Sequence, residues 1–258
     1  VFDIEKFDIK LDTEQIGRDF VYAEEVTSTN ELLLNEKNLY KHHGTILLAE
    51  FQSAGKGRLN RTWLSTQEMN LTFSILISDP KFLKKRINIL NFAAALAVSM
   101  SIENLFQLKT DLKWPNDVLI ANKKVAGILL GSVSSGSRID RLVIGIGLNV
   151  NQISFQGKFN YEPTSIKKEL RQNIEREKLL AEILNSFEDL MEKSLTNPKF
   201  ILDEWRAKCG SIGSRIRISE NEKTRQGIFE DINDEGFLIL KSGDNLETIH
   251  FGDVSIIV

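Results

Sequence analysis

The chain has 258 residues, 41% hydrophobic and 27% charged, with a formal net charge of -3. That length allows one large domain and a small one around a sizeable core, and the composition is globular rather than disordered or fibrous. The near-neutral balance excludes bulk attraction to nucleic acid or an anionic membrane, a lone Cys209 excludes an internal disulfide and fits a reducing cytoplasm, and His42, His43 and His250 lack structural-zinc spacing.

The N-terminal VFDIEKFDIK is charged throughout and has no apolar core of signal-peptide length. Roughly the first twenty residues suggest two short strand-like pieces, leaving no room for a helix-turn-helix domain before Ser28. Ser28-Thr29-Asn30-Glu31 precedes a leucine run, and Ser28 with Glu31 fits capping-box spacing, so a helix is predicted to start at 28–30. Its hydroxyls and amide serve either as caps or as partners for an uncharged polar ligand group. Residues 44–51 and 70–77 read as strands, the second alternating Leu71, Phe73, Ile75 and Ile77. Between them Gly55-Lys56-Gly57-Arg58, with Arg61, combines backbone that can approach a ligand closely with positive charge, which suits an anion.

Residues 84–105 carry apolar side chains near helical spacing and predict a packing helix, whose most apolar part, 89–100, is too short to cross a bilayer. Residues 108–114, 117–121, 125–133 and 141–150 predict four more strands, the last with Gly145 and Gly147 baring backbone on one face. That pair lacks the third glycine of a dinucleotide fingerprint, and the chain has no P-loop. Residues 152–165 read as a flap-like loop, 169–193 and 199–208 as helices. From Ser214 the period becomes two, and five short strands with strong hairpin turns suggest a small SH3-type barrel.

The most specific pattern is Lys113-Trp114-Pro115-Asn116-Asp117 followed by Asn122-Lys123-Lys124-Val125-Ala126-Gly127-Ile128-Leu129. With Ser28-Thr29-Asn30 and the glycine loop ahead of it, the chain resembles biotin protein ligases, which carry STN, GRGRxGRxW, KWPND and KVAGIL-type signatures in this order. Two positions depart from the family pattern: Lys56 stands where Arg is usual and Asn60 where Gly is usual. The first keeps charge without a planar fork, and the second is a residue that tolerates left-handed backbone.

The resemblance implies an α+β fold, a mixed sheet flanked by helices in a class II synthetase-like catalytic domain over residues 1–210, with an SH3-like barrel over 211–258. It implies ATP-dependent formation of biotinyl-5'-AMP, then transfer of biotin to a lysine of a carrier domain such as that of acetyl-CoA carboxylase, in the cytoplasm. Lys124 and Arg58 would be catalytic. Biotin would meet Ser28, Thr29, Asn30, Gln52, Lys56, Gly57, Arg58, Lys124 and Gly127. The nucleotide would meet Gly55, Arg58, Arg61, Trp63, Lys113, Asn116, Asp117, Lys124 and Asn149, with Mg2+ arriving on ATP and no dedicated metal cage. Trp114 is expected in the core, while Trp63 is a candidate against adenine. No DNA or membrane partner is expected, and a homodimer is left open. A lipoate ligase of the same fold, a biotin-sensing regulator and a non-catalytic nucleotide-binding module are the alternatives.

Overall fold

The structure, a computed structural model, describes residues 1–35, 40, 42–84, 87–157, 159, 161–220 and 223–257. Among the described residues β1 (Phe20–Val26), β2 (Ile46–Gln52), β3 (Leu71–Ile77), β4 (Asp111–Lys113), β5 (Asp117–Ile120), β6 (Lys123–Ser135) and β7 (Arg138–Leu148) form a seven-stranded sheet. Its order is β1-β2-β3-β7-β6-β5-β4. β1 runs parallel to β2 and the other pairs are antiparallel, so the sheet is mixed.

Strand alternation separates the two faces of this sheet. Leu71, Phe73, Ile75 and Ile77 of β3 join Ile144, Ile146 and Leu148 of β7 in the main core. The helices α4 (Ile87–Phe106), α6 (Arg176–Thr196) and α7 (Pro198–Lys208) cover that core, and Phe92 of α4 stacks on Trp205 of α7 at 4.5 Å. Leu47, Leu76 and Val143 point the other way and pack with Leu33 of α2 (Thr29–Leu34). The short helices α1 (Ile4–Asp8), α3 (Pro80–Leu83) and α5 (Ile166–Leu170) complete the set.

Three local expectations are corrected. The first segment forms α1 rather than a strand, because Asp3 caps it by accepting from the Lys6 amide and Phe7 is buried. The helix expected over 169–193 is two helices: Arg171 ends α5 in the left-handed region at φ 60°, and the Asn151 side chain bonds both the N–H and the C=O of Ile174. The apolar helix expected over 84–105 runs from 87 to 106, its positions 85 and 86 lying outside the described residues. At 20 residues it is long and apolar enough to cross a membrane, but 72% of its most apolar window is buried inside the protein. Burial, not length, marks it as a core helix.

A second, five-stranded antiparallel sheet follows: β8 (Arg215–Glu220), β9 (Lys223–Ile232), β10 (Leu238–Ser242), β11 (Asn245–Ile249) and β12 (Asp253–Ile256), in the order β11-β10-β9-β8-β12. The expected barrel runs to position 258, which lies outside the described residues. Ile216, Ile218, Leu238 and Leu240 form its inner face, as period two requires. The small sheet fits an SH3-like domain and docks on the larger one. Trp114, 2% exposed and in the core as expected, donates its indole N–H to the Gly236 carbonyl at 3.1 Å. Arg206 of α7 reaches Asp231 and the Ile232 carbonyl, each at 2.7 Å.

Candidate functional site

A cavity of about 930 Å³ opens on the α2 side of the large sheet. Its floor follows from strand alternation: Leu142, Ile144, Ile146 and Leu148 serve the core, so Gly145 and Gly147 face the cavity beside Gly127 of β6. The glycines are needed for space. A Cβ on Gly145 would come within 2.2 Å of Asn30 Oδ1, and one on Gly147 within 2.3 Å of the Trp63 indole. Trp63 therefore lies on bare backbone, and its buried Nε1 has no hydrogen-bond partner.

One end of the cavity is polar and uncharged. Ser28 caps α2, its Oγ accepting from the Glu31 amide at 3.5 Å. Thr29 donates its amide and hydroxyl to Gln52 Oε1 at 2.8 and 3.1 Å. Asn30 donates to the Leu129 carbonyl at 3.0 Å and accepts from Ser74 Oγ at 2.6 Å. The network locks the side-chain orientations, and Gln52 lines the cavity.

Cations line the opposite wall. Lys124 Nζ lies 2.6 Å from Asp117 Oδ1 and 5.8 Å from the Trp63 ring centre. Lys113 sits over the Tyr161 ring at 4.1 Å, and its burial pulls its pKa below the usual lysine range against the opposing pull of Asp117. Arg58 donates to Asn116 Oδ1 at 3.4 Å and to the Gly252 carbonyl at 3.3 Å; burial is the main cause lowering its pKa, with Asp253 and Asp117 acting in the opposite sense. Lys56 pairs with Glu31 and Arg61 with Asp253. The glycine loop is thus tied to α2 on one side and to the small sheet on the other.

Of the residues singled out in the sequence, Ser28, Thr29, Asn30, Gln52, Lys56, Gly57, Arg58 and Arg61 line this cavity, as do Trp63, Lys113, Asn116, Asp117, Lys124, Gly127 and Asn149. Gly55 is the exception. It is buried behind the loop, where a Cβ would come within 2.5 Å of the Trp63 carbonyl, so it shapes the turn rather than the wall. Asn149 reaches the wall, but its amide is spent on the Thr164 carbonyl at 3.0 Å. The side chain of Asn60 and residues 158 and 160 of the expected flap lie outside the described residues. Lining residues that were not anticipated as site residues include Thr72 and Asp253, and Phe155 and Tyr161 come from the segment expected as a flap. Thr72 was available from the alternation of β3; Asp253 was not, because it arrives from a strand nearly 200 positions downstream.

Residues 22–149 match the model of the biotin/lipoate A/B protein ligase family, and 211–256 match that of the biotin protein ligase C-terminal domain. The bifunctional ligase/repressor BirA of Bacillus spizizenii is 33% identical over 252 residues, covering 95% of this chain and 76% of the relative. The chain belongs to the biotin protein ligase family. The biotin--[acetyl-CoA-carboxylase] ligase of Mycobacterium tuberculosis is 30% identical, covering 91% of this chain and 87% of its own. The biotin protein ligase of Aquifex aeolicus, solved in complex with biotin and ATP, superposes with a TM-score of 0.80 at 28% identity, covering 93% of this chain and 99% of that one. Membership gives the two-sheet architecture its context: the catalytic-family match ends at Asn149 beside the glycine floor, and the C-terminal match spans the small sheet that supplies Asp253.

Proposed function

We propose that this chain activates biotin with ATP to biotinyl-5'-AMP and then passes the biotinyl group to a lysine of a biotin carboxyl carrier domain. The observation that carries the reading is the meeting of Arg58, Lys113 and Lys124 with an uncharged polar end across one glycine-floored cavity. Both reactants of the first step are anions. Two like charges about 4 Å apart repel by roughly 4 kcal/mol at an effective dielectric near 20, so fixed cations are the first requirement of the site.

In this assignment the ureido ring of biotin takes the end formed by Thr29 and Gln52, and its apolar tail runs over Gly127 towards Lys124. A biotin carboxylate oxygen attacks the α-phosphorus, the bond to the bridging oxygen breaks, and pyrophosphate leaves. Lys124 holds the carboxylate and the α-phosphate together, and Arg58, Arg61 and Lys113 receive the remaining phosphate charge. In the second step the carrier lysine nitrogen attacks the acyl carbon, AMP departs and the nitrogen loses a proton. Mg2+ supplies further charge neutralisation on the triphosphate. Asp117, a carboxylate at the cavity wall paired with Lys124 at 2.6 Å, is the protein group that would help to hold it, with no dedicated cage. We assign 1–210 as the catalytic domain and 211–258 as the SH3-like domain. We place the reaction in the cytoplasm, where ATP is at hand and the buried Cys209 stays reduced.

Exchange of labelled pyrophosphate into ATP, run with biotin and with lipoate in parallel, tests the reading. Exchange dependent on biotin alone is expected; exchange with lipoate, or none with either, refutes it. Arg58→Gly removes a guanidinium that lines the cavity and is assigned to cover the acyl phosphate. The acyl adenylate is then expected to escape, so that unrelated protein lysines become biotinylated at least about tenfold faster, while adenylate formation falls less. Blotting a mixture of carrier and bystander protein reads this out, and unchanged selectivity would count against the assignment.

A further inference from the structure

The two arginines of the glycine loop already hold an anion, and it belongs to the protein. Asp253, at the start of β12, pairs with Arg61 and lies 3.7 Å from the Arg58 guanidinium, while the preceding Gly252 carbonyl accepts from Arg58 at 3.3 Å. The backbone is built to make this approach. Gly252 has φ +141°, and a Cβ there would lie 2.7 Å from Ile218, so the bend that turns its carbonyl towards Arg58 requires glycine. Asp253 is four-fifths shielded from solvent and lines the same cavity as Lys113 and Lys124.

We propose that Asp253 is an internal stand-in for phosphate, an electrostatic latch that holds the glycine loop on the small sheet until the triphosphate of ATP takes Arg58 and Arg61 from it. This rests on the ligase reading above and adds to it a residue that sets nucleotide affinity. A carboxylate and a phosphate accept the same guanidinium donors, so the arginines cannot serve both fully. A carboxylate left facing the incoming triphosphate also repels it. Part of the gross attraction of ATP is therefore spent on opening the latch, and the loop is released from the small sheet when nucleotide enters.

The test compares the full-length wild type with Asp253→Asn, Asp253→Glu and, as a charge control in the exposed β10–β11 turn, Asp244→Asn. Equilibrium binding of magnesium ATP is expected to tighten about two- to fivefold in Asp253→Asn, the span of a partly exposed ion pair. Amides of residues 55–62 should exchange faster in that variant without ligand. Asp253→Glu should keep wild-type loop protection, and Asp244→Asn should match wild type in both measurements. ATP binding that is unchanged or weaker in Asp253→Asn overturns the latch, as does equal loop exchange or an equal shift in Asp244→Asn. Thermal melting verifies that each variant is folded. Neither measurement needs turnover, so an absence of biotin-dependent pyrophosphate exchange in the wild type would refute the ligase reading separately, with loop exchange still judging the latch.

Discussion

Lys124→Ala is expected to lower biotin-dependent pyrophosphate exchange by at least about 100-fold, the scale on which removing one preorganised charge-stabilising group acts. Its position makes the loss specific to chemistry. The side chain is 29% exposed at the cavity wall, and its Nζ would sit 3.1 Å from a Cβ on Gly127, so the ammonium is held against the floor proposed for the biotin tail and α-phosphate. Asp117, 2.6 Å away, pairs with it and so fixes its direction. The backbone of Lys124 is secured independently, its N–H donating to the Glu162 carbonyl at 2.8 Å and its C=O accepting from the Thr164 amide at 2.9 Å. Truncating the side chain leaves those bonds in place, so stability should change by no more than about 1 kcal/mol. Exchange kinetics and a melting curve on the same sample check both halves, and near-normal exchange would overturn the role given to Lys124.

How much of this arrangement was legible beforehand depended on whether its cause was local. Ser28 ahead of three leucines, the alternation of β3 and the hairpin glycines Gly236 and Gly243 each act within a few residues, and the elements they mark are present. Gly145 and Gly147 could be placed on one face by period two. What they accommodate could not, because Asn30 and Trp63 reach them from other elements. The cationic cluster was legible as residue types in recognisable motifs, but its partners were not: Asp253 and Tyr161 come from distant segments. The break between α5 and α6 was missed for the same reason, since Asn151 imposes it from outside the helix. Gly55 is a loop glycine read as ligand-facing, whereas the space it leaves is taken by its own turn at the Trp63 carbonyl.

Arg176→Ala is expected to cost about 3–5 kcal/mol of stability, because it leaves a buried carboxylate without its counter-charge. Arg176 opens α6 and donates to both oxygens of Glu50 on β2 at 2.6 and 2.9 Å, with side-chain exposures of 6% and 2%. It also donates to the Asn70 carbonyl at 3.0 Å, and Tyr22 adds a hydroxyl bond to Glu50 at 2.9 Å. Burial alone would raise the Glu50 pKa, but the Arg176 and Tyr22 bonds outweigh it and hold the carboxyl below its ordinary value. A depressed carboxylate pKa contributes stability that is present above the unfolded value near 4.3 and lost as pH falls through the folded one. Without Arg176 the balance reverses and burial raises the Glu50 pKa, so protonation relieves the unpaired buried charge and the stability lost by the variant should be smaller at pH 4 than at pH 7. The pair also underlies the site: Asn70 accepts from the Val150 amide at 3.0 Å and donates to Gln152, which lines the cavity. Denaturant titrations at pH 7 and pH 4 read the effect, and a loss below about 1 kcal/mol at pH 7 would show the pair to be dispensable. Activity per folded molecule should fall far less than in Lys124→Ala, since Arg176 supports the wall and touches neither reactant.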